Sequence, residues 1–179
     1  MTKFKEHIET NKKAWNKRTP IHIKSNFYNN DGFMKGENSL KLIELNAIGD
    51  VTEKSLLHLQ CHFGQDSISL ARMGAKVTAV DFSDVAIKEA KKLAKKIYTR
   101  VEFIESDVLD LKLKKEFDIV FSSYGVIGWL PDLDMWAKTI SDHLKKGGLF
   151  LLTEFHPFLE LIKDNGYDYF YDSNPDIEI

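Results

Sequence analysis

Ser55 to Asp81 reads SLLHLQCHFGQDSISLARMGAKVTAVD, and this stretch decides the fold. Ser55 to Leu59 is a short apolar run suited to a buried strand. Gln60-Cys61-His62-Phe63-Gly64 is a tight connection, and Gln65-Asp66-Ser67 offers side-chain oxygens to the orphan amides of a helix start. Ile68, Leu70, Ala71 and Met73 follow at near-helical spacing until Gly74 stops the helix. Lys76 to Val80 reads as a second buried strand, with Asp81 at its C-terminal end. Strand, loop, helix, strand and a closing acid make the unit that binds a nucleoside in open α/β sheets. Strand-end amides face one part of such a ligand, and the acid accepts from ribose hydroxyls.

Working outward, the same alternation continues. Ser83 or Asp84 caps a helix carrying Val85, Ala86, Ala90, Leu93, Ala94 and Ile97. Val101 to Ile104 and Phe117 to Ser122 read as the third and fourth strands. Pro131-Asp132 opens a helix through Leu133, Trp136, Ile140 and Leu144, which Gly147-Gly148 ends before a fifth strand at Leu149 to Thr153. Continuous apolar strands alternating with helices predict a Rossmann-like, doubly wound α/β domain, its mainly parallel sheet covered on both faces. Upstream, Lys3 to Arg18 reads as a charged helix that Pro20 breaks. His22 to Phe33 reads as a loop and Ser39 to Leu45 as another helix. The predicted organisation is a helical cap or lid over 1–50, a core over 51–158, and an aromatic, acidic tail or flap over 159–179. Within that tail Asp172-Ser173-Asn174-Pro175 has hairpin chemistry.

The 179 residues are 43% hydrophobic with a formal net charge of -2, ordinary for a soluble globular domain and without the basic excess of a nucleic-acid binder. Cys61 is the single cysteine, which excludes an internal disulfide and predicts a cytoplasmic protein. MTKFKEHIET lacks the apolar segment of a signal peptide, and no apolar run approaches membrane-spanning length. His58, Cys61 and His62 lie close in sequence, but strand alternation separates His58 from Cys61 and no second ligand pair follows, so no metal site is expected.

With the strands placed, Ser55 to Phe158 resembles class I S-adenosylmethionine-dependent methyltransferases. Against that family's D-x-G-x-G-x-G loop, His58-Leu59-Gln60-Cys61-His62-Phe63-Gly64 keeps only the last glycine and replaces the acid with His58. Asp81, Phe82, Ser106-Asp107-Val108, Phe117-Asp118-Ile119-Val120 and Lys145-Lys146-Gly147-Gly148-Leu149 match later motifs in order. LHLQCHFGQD, with EFHPF after the fifth strand, is similar to a variant among bacterial small-molecule methyltransferases. The resemblance implies S-adenosyl-L-methionine as cofactor and a small-molecule acceptor. It implies cofactor contacts from Gln60, Cys61, His62 and Gly64 at the methionine part and from Asp81, Phe82 and Ser83 around the ribose and adenine. Ser106, Asp107 and Val108 serve the adenine, and Ser122 and Ser123 lie near the sulfonium. Trp15, Phe27, Tyr28, Tyr124 and Trp129 are candidate lid or substrate residues, with hydrophobic anchoring the equal alternative for Trp15, Phe27 and Tyr28. His156 and Glu154 are the candidate bases, although a sulfonium donor demands a base only when the acceptor must lose a proton.

Ser122-Ser123-Tyr124-Gly125 lacks the acid-or-Asn, Pro-Pro-aromatic pattern of enzymes that methylate nucleic-acid bases. A nicotinamide dehydrogenase is disfavoured by the missing G-x-G-x-x-G, and a catalytically silent cofactor- or partner-binding module stays open. Members of the family usually have seven strands. This chain ends after five, so the expectation is a truncated sheet or one completed by another chain, with self-association along the exposed fifth-strand edge.

Overall fold

The computed structural model describes residues 4–156 and 158, and the backbone of 162–163 and 166–167. Five strands, β1 (Ser55–Leu59), β2 (Lys76–Asp81), β3 (Glu102–Glu105), β4 (Phe117–Ser123) and β5 (Leu144–Thr153), form one parallel sheet in the order β3-β2-β1-β4-β5. The helices α1 (Lys5–Lys24), α2 (Asn30–Met34), α3 (Leu42–Ile48), α4 (Gln65–Arg72), α5 (Asp84–Lys96) and α6 (Leu133–His143) surround it. Chain order reverses between β1 and β4, the topological switch at which open α/β sheets form a crevice beyond their C-terminal strand ends.

Strand alternation divides the core into two layers. Leu56, Val77, Ala79, Ile119 and Phe121 pack with Ile68 and Leu70 of α4 and Ile87, Ala90 and Ala94 of α5. On the opposite face Leu57, Leu59, Val80 and Val120 pack with Trp136 and Ile140 of α6. Both faces are therefore covered, which is why these strands are continuous apolar runs. Asp118 pins the base of β4. It accepts from Ser55 N at 2.8 Å and Ser55 Oγ at 2.6 Å and pairs with Lys145 at 2.8 Å. The Lys145 ammonium, then Ser55, hold its carboxyl below the usual carboxylate range. His143 closes the far end of α6, donating from Nδ1 to the Thr139 carbonyl and accepting from Leu113 N at Nε2.

Several boundaries differ from the sequence reading. Pro20 does not break α1, which runs on to Lys24. The proline forfeits one helical bond, but Trp15 and His22 on either side are held in a ring cluster, so tertiary contact outweighs the local cost. The predicted loop at 22–33 holds α2, whose Asn29 side chain accepts from Gly32 N. The helix expected at Ser39 starts at Leu42, because Asn38 Oδ1 takes Leu40 N and Ser39 bonds Ser69 Oγ. No side chain caps α4. Its N-cap is Gly64, and Gln65 and Asp66 point their polar groups elsewhere. Lys145 to Gly148 is an irregularity inside β5 rather than a separate turn: Phe117 pairs with Leu144, and pairing resumes at Ile119 with Leu149. β3 and β4 each extend one residue past the predicted end. Among the described residues β5 is an edge strand, and Ile162–Lys163 pairs with Gly166–Tyr167 in a separate short hairpin. The hairpin expected at 172–175 lies outside the described residues.

Gly64 has two independent reasons to be glycine. Its φ is +81°, and a Cβ there would sit 2.7 Å from the Phe103 ring and 3.1 Å from Ala90 Cβ. Gly64→Ala is expected to lower stability by about 2–4 kcal/mol, the sum of left-handed strain and overpacking. Urea unfolding checks this; a loss below about 1 kcal/mol would mean that the ring and backbone yield freely.

Candidate functional site

The loop leaving β1 sets the geometry of the crevice. Gln60 and His62 have φ of 56° and 51°, so with Gly64 the chain is left-handed at every second position. Side chains replace two of the family's glycines, yet the backbone still bends at all three places. Such conformations cost on the order of 1–2 kcal/mol per residue, and bonds from both residues offset that cost. Gln60 Oε1 accepts from Trp136 Nε1 and Ser122 Oγ, each at 3.2 Å, and its amide nitrogen donates to Val126 O at 3.4 Å. His62 N donates to Asp81 Oδ2 at 2.8 Å.

Asp81, at the end of β2, accepts one more backbone bond, from Ser83 N to Oδ1 at 2.8 Å. It is buried on the crevice wall, and burial pushes its carboxyl up to about 6 despite the amides of Ser83, His62 and Phe82 and the charge of Lys12. Each oxygen therefore keeps acceptor capacity for a donor from the crevice. Beyond β3, Asp107 Oδ1 takes Leu109 N at 3.0 Å, and burial raises this acid too. Phe82, Asp107, Val108 and Leu109 line this end. Ser83 does not. Its hydroxyl caps α5 and donates to Asn16 Oδ1 at 2.5 Å. Ser106 turns its hydroxyl to the Asp107 carbonyl, and Ser122 is buried against Leu59 O and Gln60.

At the end of β4, Ser123 donates to Asp66 Oδ2 at 3.1 Å, and both residues line the crevice with Tyr124 and Gly125. Past β5, Glu154 is placed differently from the expected base. Oε1 accepts from Gly125 N and Phe155 N, and Oε2 from Val126 N at 2.8 Å and Ile127 N at 3.2 Å. Burial opposes its ionisation, but these four amides outweigh it and keep the carboxyl below its ordinary value. A carboxylate so saturated clamps the 125–127 loop and has little capacity left to take a proton. His156 is exposed, receives Phe158 N at 3.1 Å, and lies off the crevice wall.

The roof is α1. Ile8, Asn11, Trp15, Arg18 and His22 recur at three- and four-residue spacing and all face the crevice. Asn16 and Lys12 tie the helix to Asp84 and Glu105, and Asn11 reaches the Trp129 carbonyl. Trp15 meets Trp129 and His62 edge to face, and the Arg18 guanidinium lies 5.0 Å from the Trp129 ring. His22 Nδ1 is 3.1 Å from His62 Nε2. Burial, aided by Arg18, lowers His22. Burial, aided by His22, lowers His62 to about 3, so this pair is neutral near pH 7 and one imidazole donates to the other. Tyr28 stacks on His22, and Phe27, 83% exposed, sits at the rim. The crevice is about 810 Å³, in the upper range for a small-molecule site. Its walls run from β3 across β2 and β1 to β4, three strand spacings or about 14 Å.

Cys61 is buried, its thiol pushed well up by burial and by Asp81, and its sulfur bonds the His62 carbonyl and the Ser67 side chain. His58 Nδ1 bonds Ser67 Oγ at 2.8 Å. Among the described residues no group of three His, Cys, Asp or Glu side chains is placed to hold a metal ion, and no helix is long and apolar enough to cross a membrane. The sequence did not single out Arg18, His22 or Asp66, which line the crevice. The 8-11-15-18-22 stripe was the available signal for the roof, whereas Asp66 looked like ordinary helix-start chemistry.

A methyltransferase domain family matches residues 56–148. The chain belongs to that family, and its sheet and crevice place it among class I S-adenosylmethionine-dependent methyltransferases. It is 30% identical over 105 residues to a ubiquinone biosynthesis O-methyltransferase of Pelagibacter ubique, covering 59% of this chain and 43% of that protein. It is 34% identical over 128 residues to a demethylmenaquinone methyltransferase of Clavibacter sepedonicus, covering 68% and 49%. The chain spans about half the length of these curated relatives. Among solved structures, the PH0226 protein of Pyrococcus horikoshii OT3 superposes with TM-score 0.57 at 30% identity over 62% of this chain and 53% of that one. The glycopeptide N-methyltransferase MtfA complexed with (S)-adenosyl-L-methionine gives 0.55 at 25% identity over 62% and 50%.

The left-handed cost at position 60 is separable from its side-chain bonds. Gln60→Ala and Gln60→Gly both lose the Trp136, Ser122 and Val126 contacts, but only glycine relieves the backbone. Gln60→Gly is expected to be the more stable of the two by about 1 kcal/mol, read as a difference in urea midpoint. Equal stability of the two variants would contradict a strained loop.

Proposed function

We propose that this chain binds S-adenosyl-L-methionine in the crevice and transfers its methyl group to a small-molecule acceptor, leaving S-adenosylhomocysteine. The observation that carries the reading is Asp81, a buried wall carboxylate whose oxygens take the His62 and Ser83 amides and keep room for a ribose hydroxyl. Phe82, Asp107 and the Val108–Leu109 backbone then take the adenine beyond β2, and the 60–64 loop lies along the methionine part. Ser123 and Tyr124 stand where the methyl group meets its acceptor. Ser83, Ser106 and Ser122 act through the backbone they hold. The cofactor supplies a sulfonium-activated methyl group, so the protein chiefly binds, orients and excludes water. Helix α1 is the lid, and the neutral His22–His62 pair and the Trp15 and Trp129 rings close it without placing a positive imidazolium beside the sulfonium. Glu154 positions the 125–127 loop, and His156 has no part in proton transfer. A crevice of about 810 Å³ suits a small acceptor beside the cofactor.

Calorimetric titration with S-adenosylhomocysteine tests this. One-site binding is expected at pH 7.5, with NAD giving none. Asp81→Asn should weaken it by about 1.5–3 kcal/mol, on the order of 10- to 100-fold, as charge-assisted bonds are lost. The ribose hydroxyls need an ionised acceptor. As pH falls through about 6, the free protein protonates Asp81 and affinity should drop by up to about tenfold per pH unit. Asp81→Asn should flatten that dependence. Binding indifferent to both Asp81→Asn and pH would remove Asp81 from the cofactor site and the reading with it.

A further inference from the structure

The side of α5 turned to solvent carries charge of almost one sign. Ala86, Ile87, Ala90 and Ala94 bury the other side of the helix in the core, with Leu93 and Ile97 packed beside them. Lys88, Lys91, Lys92, Lys95 and Lys96 fall on the opposite half of the helix, all exposed, and Arg100 follows in the turn beyond. Between Lys88 and Arg100 the one acid is Glu89, and Lys92 takes it at 2.6 Å. Asp84, at the helix start, is held by Asn16, with Lys12 3.7 Å away. Among the described residues Lys88, Lys91, Lys95, Lys96 and Arg100 have no carboxylate partner. In a chain of formal net charge -2, this strip stands against the sign of the whole.

The helix also ends on an unusual residue. Thr99 N bonds Ala94 O at 3.0 Å and Tyr98 N bonds Lys95 O at 3.3 Å, a paired closure whose middle residue is left-handed and is normally glycine. Here that residue is Tyr98, with φ of 55° and 97% exposed. At that exposure the ring gains no packing to offset the left-handed strain.

We propose that the outer side of α5 and Tyr98 form a docking surface for an anionic lipid membrane, the lysines meeting headgroup phosphates and the Tyr98 ring entering the headgroup layer. The strip is about 20 Å long, and each lysine brought to an anionic surface contributes about fivefold in affinity. A tyrosine with nothing to pack on in the protein suits the membrane–water boundary, where an apolar ring with a polar tip is favoured. The contact is peripheral: the apolar side of α5 is committed to the core, and no helix among the described residues is long and apolar enough to cross a membrane. A nucleic acid fits less well, because the cations are lysines with one arginine, lacking the forked and amide side chains that read base edges. The proposal goes beyond the methyltransferase reading and does not depend on it.

Cosedimentation of the whole chain with vesicles tests it. Saturable binding is expected to vesicles of about 30% phosphatidylglycerol in phosphatidylcholine at about 50 mM NaCl, and none to phosphatidylcholine alone; about 500 mM NaCl should release the protein. Lys91→Glu combined with Lys95→Glu should weaken binding at least about tenfold. Tyr98→Gly should weaken it at least about threefold while raising the urea midpoint, since glycine accepts the left-handed turn. That rise separates a lost anchor from a lost fold, and the lipid and salt comparison stands should the lysine variant not fold. Equal uptake by both vesicle types, no uptake by the anionic vesicles, or full binding by either variant overturns the proposal. So does a DNA oligonucleotide bound more tightly than the anionic vesicles through the same lysines.

Discussion

The bond from His62 N–H to the Asp81 carboxylate is the constraint on which the crevice depends. It joins the loop leaving one central strand to the acid closing the next, and so requires left-handed backbone on either side of Cys61. That path turns the 60–64 amides along the strand ends and brings Gly64 against Phe103 and Ala90, which a Cβ there would crowd. The same carboxylate receives Ser83 N, which aligns α5 behind it. A buried acid with two amide donors is still costly. The folded chain carries that cost as a raised acid, and in the proposed reading a diol presented from the crevice relieves it.

Two further frames hold the remaining sides. Glu154 gathers the amides of Gly125, Val126 and Ile127 into one anion-binding turn, fixing the loop that bears Trp129. Helix α1 rests on that loop, on His62 and on the α5 start at once. The roof therefore contacts the first loop, the α5 start beside Asp81 and the loop bearing Trp129. In the proposed reading two contacts couple the lid to binding: Asn16 to Ser83 beside Asp81, and His22 to His62 within the first loop.

Much of this was legible in the residues. Apolar runs of four to seven residues with helical spacing between them gave the parallel sheet, because a strand buried on both faces has no polar side to disguise it. Asp81 was readable from its place at a strand end, and the later motifs from their order. What sequence did not reveal depended on distant partners. Pro20 reads as a helix end until Trp15 and His22 are seen locked into the ring cluster. Glu154 reads as a base until four amides converge on it. Asp66 reads as a cap, yet its helix is capped by Gly64 and its carboxylate faces Ser123. Gln60 and His62 look incompatible with a glycine-rich turn. Only their tertiary bonds show how the same path survives with side chains attached.

The central claim is that a single cofactor spans the crevice from β3 to β4, anchored by Asp81 and roofed by α1. A crystal structure of the chain with S-adenosylhomocysteine tests it most directly. The account predicts both ribose hydroxyls within hydrogen-bond distance of the Asp81 oxygens, adenine between Phe82 and the Asp107–Leu109 turn, and the sulfur over β1 on the side of Ser123 and Asp66. Ligand density elsewhere on the molecule, or a ligand lying the other way round with its amino-acid end at Asp81, would contradict it.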